Sequence, residues 1–142
     1  MKPSKFRTGA AAAAFALIVS AAGIGSAEAH HSFAPYEPDR QILINGKVTH
    51  YQWTNPHVYI ELDAPDATCE VRRWLIECAN TSILSRVGWT WNMVKVGDEI
   101  DVIVAPLRNG EPAALLKSIR LADGRVFSNG GPAGRATISF AD

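Results

Sequence analysis

The chain has 142 residues, 14 basic and 14 acidic side chains and four histidines, which is too short for more than one domain besides a leader. Removing Lys2, Lys5, Arg7 and Glu28 with the N-terminal segment leaves 11 basic against 13 acidic side chains, net −2. A mildly acidic domain has no general attraction for phosphate backbones, so nucleic acid is not expected as a partner.

Residues 1–29 read as a cleavable signal peptide. Lys2, Lys5 and Arg7 form the basic start, and an uncharged stretch from Ala10 to Ile24 follows. Ala27-Glu28-Ala29 supplies small residues one and three before a cut, so the exported product is expected to begin at His30 in the periplasm or outside the cell. The apolar core is shorter than the about 20 residues of a membrane span, so no span is expected after cleavage. Residues 30–40 form a polar lead-in in which Pro35 and Pro38 oppose regular structure.

From Gln41 the pattern is that of strands, and a β-barrel domain is expected over 41–127. Ile42, Ile44 and Val48 share one parity, with Asn45, Lys47 and Thr49 on the other. Gly46 interrupts them, as a bulge or sharp bend would. Val58, Ile60 and Leu62 alternate with His57, Tyr59 and Glu61 in a second strand, and Asp63-Ala64-Pro65-Asp66 reads as a turn. A third strand runs from Cys69 to Cys78, with Trp74, Ile76 and Cys78 on its apolar side. Asn80 or Thr81 can cap a short helix through Val87, closed by Gly88. Glu99 to Ala105 and Ala113 to Leu121 are the fourth and fifth strands, joined at Asn109-Gly110. Asp123-Gly124 turns the chain before Val126-Phe127, and residues 128–142 read as a disordered tail. Three strands, a helix and two strands predict an all-β fold: a small five-stranded OB-like Greek-key barrel with one short helix between strands three and four. A β-sandwich would want about seven strands.

Several residues taken in this order also resemble a family. His30-His31-Ser32-Phe33 and Gly46-Lys47-Val48-Thr49 come first, then Trp53-Thr54-Asn55-Pro56-His57, Gly88-Trp89, Gly97-Asp98 and Leu121-Ala122-Asp123-Gly124. Together they resemble the exported bacterial domain-of-unknown-function family 6152. The resemblance implies an envelope protein with a compact β-fold, and carries no established activity or catalytic residue. Cys69 and Cys78 stand outside its pattern.

The two cysteines are separated by a run without turn residues. As one strand it would hold them roughly 30 Å apart, whereas a bridge needs Cα atoms within about 7 Å. The expectation is two unpaired thiols, dispensable for folding.

The histidines are the candidate metal ligands. His30, once terminal, offers an α-amine and an imidazole to one ion, and His31 can add a second ring. A compact nitrogen set of this kind favours copper(II) over zinc, and a strongly bound metal displaces the amine proton. His57 is a third candidate ligand if the lead-in folds back over its face. The alternatives are a solvated His30-His31 terminus and a His57 that bonds a neighbouring backbone group. His50 shares parity with Ile44 and Val48, which predicts a partly buried structural role. Trp53, Tyr59, Trp74, Trp89 and Trp91 can line a ligand groove, although Trp89 and Trp91 also suit the covering of one barrel end. Arg72 and Arg73 suit either an anionic ligand or a solvated strand face.

No catalytic constellation is complete. The sequence lacks Cys-x-x-Cys, Cys-x-x-Cys-His and Gly-x-Ser-x-Gly, and it has no phosphate-binding glycine loop. The favoured function is a periplasmic small-ligand or metal-binding module, with copper held through His30, His31 and His57. A non-metal module docking an envelope protein and a copper-dependent oxidoreductase are the alternatives.

Overall fold

The computed structural model describes residues 34–66, 68–130 and 135–140. The expected leader and the histidines His30 and His31 lie outside these described residues. Six strands and one helix follow in chain order: β1 (Ile42–Gln52), β2 (Tyr59–Pro65), β3 (Val71–Glu77), α1 (Thr81–Arg86), β4 (Glu99–Pro106), β5 (Ala113–Arg120) and β6 (Val126–Ser128). The sheet order is β3-β2-β1-β4-β5-β6, antiparallel between neighbours. A parallel pairing of Leu75–Glu77 with Ala113–Leu115 joins β3 to β5 and closes the first five strands into a barrel. This is the expected all-β, OB-like Greek-key barrel, with the helix between β3 and β4. The short β6 adds a sixth strand on the outer edge of β5.

Alternation builds the core. Ile44 and Val48 from β1, Val58, Ile60, Leu62 and Ala64 around β2, and Ile76 and Cys78 around β3 are all buried. Ile100, Val102 and Val104 from β4, with Ala114, Leu116 and Ile119 from β5, complete the interior. The first three residues of the turn expected at 63–66 instead belong to β2. Ala64 is its next inward residue, and the register continues to Pro65 opposite Val71. The reversal comes after Pro65. Asp66 accepts from the Thr68 amide and hydroxyl and from the Glu70 amide at 2.8, 2.6 and 3.2 Å. These bonds hold its carboxyl below the usual carboxylate range.

β1 hides one irregularity. Val48 faces Leu62 but His50 faces Glu61, so Thr49 is a bulge residue. The extra residue flips parity, leaving His50 exposed where a partly buried role was expected. Tyr51 takes the inward position and packs on the core. Gly46 is not the bulge.

α1 begins with Asn80, whose side chain accepts from the Ile83 amide at 2.9 Å. It ends where Gly88 adopts φ +93°, which L-residues with a side chain disfavour. The reversal brings the Trp89 amide back to Leu84 O at 3.0 Å and directs the indole inward. Trp89 is 2% exposed, stands edge-on to Phe127 and donates to Ser128 O at 2.9 Å. Trp91, expected beside it as cover, is 70% exposed.

The fold continues past residue 127, where a disordered tail was expected to begin. Asn129 is buried, accepts from the Ala79 amide at 2.8 Å and donates to Lys117 O at 3.0 Å. Further on, Gln41 meets Arg135 O and the Thr137 amide, and the Arg120 guanidinium lies over Phe140. These partners are remote in sequence, so composition alone could not reveal them.

Cys69 is exposed in the 66–70 turn at φ +64°, and Cys78 is buried in the core. Both are free thiols, as expected. Burial, reinforced by Glu77, pushes the Cys78 thiol upward and keeps it protonated. A thiol reagent should therefore label Cys69 alone in the native protein and both residues after denaturation. Two fast-reacting thiols in the native state would show Cys78 to be accessible, and none would show a bridge.

Candidate functional site

His57 ends the Trp53-Thr54-Asn55-Pro56-His57 segment, which carries the chain from β1 to β2 past the start of α1. Asn55 accepts from the Thr81 hydroxyl at 3.0 Å, and the Asn55-Pro56 peptide is cis. Val58 exchanges backbone bonds with Cys78 and Ala79 at 2.8 and 3.1 Å. The segment thus lays His57 alongside the end of β3. Its Nδ1 stands 3.0 Å from Cys78 O and 3.3 Å from Glu77 Oε1. A carbonyl oxygen only accepts, so Nδ1 carries the proton in this contact and the lone pair of the neutral ring sits on Nε2. The backbone contact weighed in the sequence reading is present.

The described part of the lead-in, residues 34–40, reaches this face through Tyr36. Tyr36 pairs with Leu107, and its ring packs on Ala105 and Leu115. Backbone bonds from Glu37 N to Pro106 O and from Arg108 N to Pro35 O, both 2.9 Å, hold the segment on either side. The Tyr36 hydroxyl donates to Glu77 Oε2 at 2.7 Å. Burial and the Glu77 charge push that hydroxyl's pKa upward, so it remains a donor. Tyr59 faces Glu77 across the strand pair, with its ring centroid 6.3 Å from that of His57. Burial and the same carboxylate raise its pKa too. Tyr36 and Glu77 are the residues that sequence reasoning missed. They lie 41 positions apart, and no linear spacing announces their contact.

Among the described residues, no three His, Cys, Asp or Glu side chains stand close enough to hold a metal ion. His57 and Glu77 therefore do not form a metal centre by themselves. Of the three expected ligands, the structure describes the surroundings of His57 alone.

The aromatic residues do not converge on one groove. Tyr59 lies on the outer face of β2, whereas Trp74 pairs with Leu62 on the inner side and Trp89 is buried beyond it. Trp74 is only partly buried, and its Nε1 is enclosed without a hydrogen-bond partner. On the outer face, Arg73 forks onto Asp63 at 3.0 and 3.4 Å, while Arg72, opposite Ala64 and on the Trp74 side of β3, comes within 3.9 Å of Asp66. Both arginines have carboxylate neighbours, which favours the solvated-face reading over an anion site. No helix among the described residues is long and apolar enough to cross a membrane.

No curated protein matches the chain. Among solved structures it is similar to a mitochondrial single-stranded DNA binding protein of S. cerevisiae, Rim1. The identity is 13% over 58% of this chain and 93% of that one, with a TM-score of 0.44. The model of the family described as "Family of unknown function (DUF6152)" matches residues 16–116, well over half of the sequence. The chain belongs to this family, as its motifs suggested.

Proposed function

We propose that the protein is a periplasmic OB-like binding module that takes one copper ion through its mature N-terminus, with His30, His31 and His57 as ligands. The observation that carries this reading is the state of His57. Its Nδ1 is engaged by Cys78 O and Glu77, the kind of carbonyl and carboxylate contact that orients a metal-ligating imidazole. The returning lead-in supports it further. His31 lies five residues before Tyr36, a reach of at most about 18 Å, and Tyr36 is tied to the carboxylate beside His57. Export supplies the third part, because cleavage after Ala29 frees an amine that the precursor lacks.

The outer face of β2 and β3, where OB barrels commonly hold oligomers, carries Glu61, Asp63 and Glu77 against Arg73. That balance disfavours a phosphate backbone and supports a partner other than nucleic acid. A docking role has its own observation: Trp91 and Val96, 70% and 68% exposed, both lie on the link between α1 and β4.

Copper affinity should fall at least about tenfold, roughly 1.4 kcal/mol, when a Met is added before His30. The extension keeps both imidazoles but displaces the amine. His57→Ala should weaken binding further. Calorimetry against a competing chelator measures each protein. Equal affinity for the native and extended forms would reduce the terminus to a solvated tail and leave the docking role in the lead. Sustained turnover of a reductant by the copper form would move the reading to an oxidoreductase.

A further inference from the structure

We infer that the free edge of β3 is a docking site for an extended segment of another protein, which adds a strand beside residues 71–74. This role stands apart from the copper reading, and neither test decides the other. Backbone groups of a paired strand alternate between its two edges. Cys78 N bonds Val58 O at 2.8 Å, and Glu70 O accepts the Asp66 amide at 2.9 Å. The even-numbered residues between them, Arg72 and Trp74 included, therefore direct their amides and carbonyls to β2. The odd-numbered residues face the other way. Leu75 donates its amide on that side to Pro112 O at 3.0 Å, where the parallel pairing with β5 begins. Before Ala113 the chain forms the β4–β5 turn, with Gly110 N on Leu107 O. Among the described residues, Val71 and Arg73 have no backbone partner on this edge. The barrel is thus open along four residues of β3, about 13 Å.

The gap gives onto a groove of about 530 Å³. Arg72 and Trp74 wall it from β3, Ile42 from β1, and Pro106, Leu107 and Glu111 around the end of β4. On the outer side, the exposed apolar residues Val71 and Leu75 flank Arg73. Ladder donors and acceptors in line, with apolar surface on both sides, suit an extended backbone: main-chain bonds give affinity and alternate side chains give specificity. A second copy of this chain is a poor occupant. Centred on the free stretch, an antiparallel pair of two copies sets Arg72 opposite Arg72 or Arg73 opposite Arg73, and like charges directly opposite are destabilising. A different chain can place an acidic residue opposite Arg73, whose fork onto Asp63 uses Nε and one Nη. The residues on either side of that acid then point toward the groove beside Trp74 and should be apolar. The competing role is a solvated edge on which the arginines only prevent self-pairing.

The test uses isotope-labelled exported protein, followed by nuclear magnetic resonance, and an end-blocked peptide with the core Thr-Val-Glu-Val-Thr. In the free protein the Val71 and Arg73 amides should exchange with solvent faster than those of Arg72 and Trp74. The peptide should shift the Val71 and Arg73 amide resonances saturably and slow their exchange. Methylating the Glu and Thr nitrogens of the peptide keeps every side chain and removes the pairing edge, so affinity should fall at least about tenfold. Lys in place of the Glu should cost about two- to fivefold. Arg73→Pro removes an amide on the free edge, where proline is tolerated, and should weaken binding well beyond Arg73→Ala. Should Arg73→Pro fold poorly, the methylated peptide gives the same decision on the wild-type protein. Equal binding of plain and methylated peptides, or no saturable shift at Val71 and Arg73 at millimolar peptide, would overturn strand addition. Slow exchange of both amides in the free monomer would overturn it too, because the edge would already be covered. Protection that appears with rising protein concentration would give the edge to a second copy and overturn the inference. A Lys peptide that binds as well as the Glu peptide would overturn the acidic character of the partner.

Discussion

Trp89→Ala should cost about 3–5 kcal/mol, as large aromatic truncations in packed interiors do. Against a typical total of about 5–15 kcal/mol, that lowers the melting temperature by roughly 10–25 °C for a domain of this size. The indole is 2% exposed and makes an edge-on contact with Phe127. Its N–H also satisfies Ser128 O on β6, so truncation leaves both a cavity and a carbonyl without its donor. Trp89→Phe separates the two effects. It keeps most of the packing and loses the bond, for about 1–2 kcal/mol. Trp91→Ala is the internal control. Two positions along the chain and 70% exposed, it should change stability by no more than about 0.5 kcal/mol. Thermal melts of the three variants decide the matter. Similar losses at 89 and 91 would mean that Gly88 does not turn the chain as described.

The difference between these two tryptophans shows what the sequence makes legible. Gly88 after a capped helix announces a chain reversal, and local geometry then sends the next residue inward. A second tryptophan two positions later receives no such instruction. Strand alternation was equally readable, because inward Val58, Ile60 and Leu62 and inward Ile100, Val102 and Val104 are local patterns with a two-residue period. The errors lie where a neighbouring strand overrides the local pattern. The Thr49 bulge flips His50 outward, and it is defined only by the register against β2. Pro65 resembles a turn residue, yet Ala64 still has a place in the interior beside Gly46, so the strand continues. At the candidate site, His57 stood out because its residue type carries metal chemistry and its motif is unusual. Glu77 reads in sequence as one more polar residue on a strand. Only the barrel's closure and the returning lead-in place it between Tyr36 and His57. Asn129 was lost for a similar reason, since its partners Ala79 and Lys117 come from distant elements.

Gly46→Val should destabilise the barrel by several kcal/mol, with Gly46→Ala falling in the range of about 1–3 kcal/mol typical of overpacking. The cause is close approach, not backbone conformation. A Cβ at this position would lie 2.5 Å from Leu62 Cδ1, and 3.0 Å from both Ala64 Cβ and Asp63 O. In an ordinary strand, replacing glycine by alanine relieves an entropic cost of roughly 0.5–1 kcal/mol. A net loss here therefore reports the crowding directly. The crowding follows from the topology: β1 pairs with both β2 and β4, and at Gly46 the chain faces Ile100 on one side while packing against β2 on the other. The Leu62 side chain is fully buried. Leu62→Ala removes the nearest clashing atom and should by itself cost about 2–5 kcal/mol. Combined with Gly46→Val, it should be less damaging than the sum of the two changes, by about 1 kcal/mol or more. Relief stays partial, because Ala64 Cβ and the Asp63 carbonyl remain at 3.0 Å. Urea melts of the two single variants and the double variant supply the cycle. Strict additivity would mean that Gly46 and Leu62 do not touch, and β1 would then cross β2 at a different position from the one described.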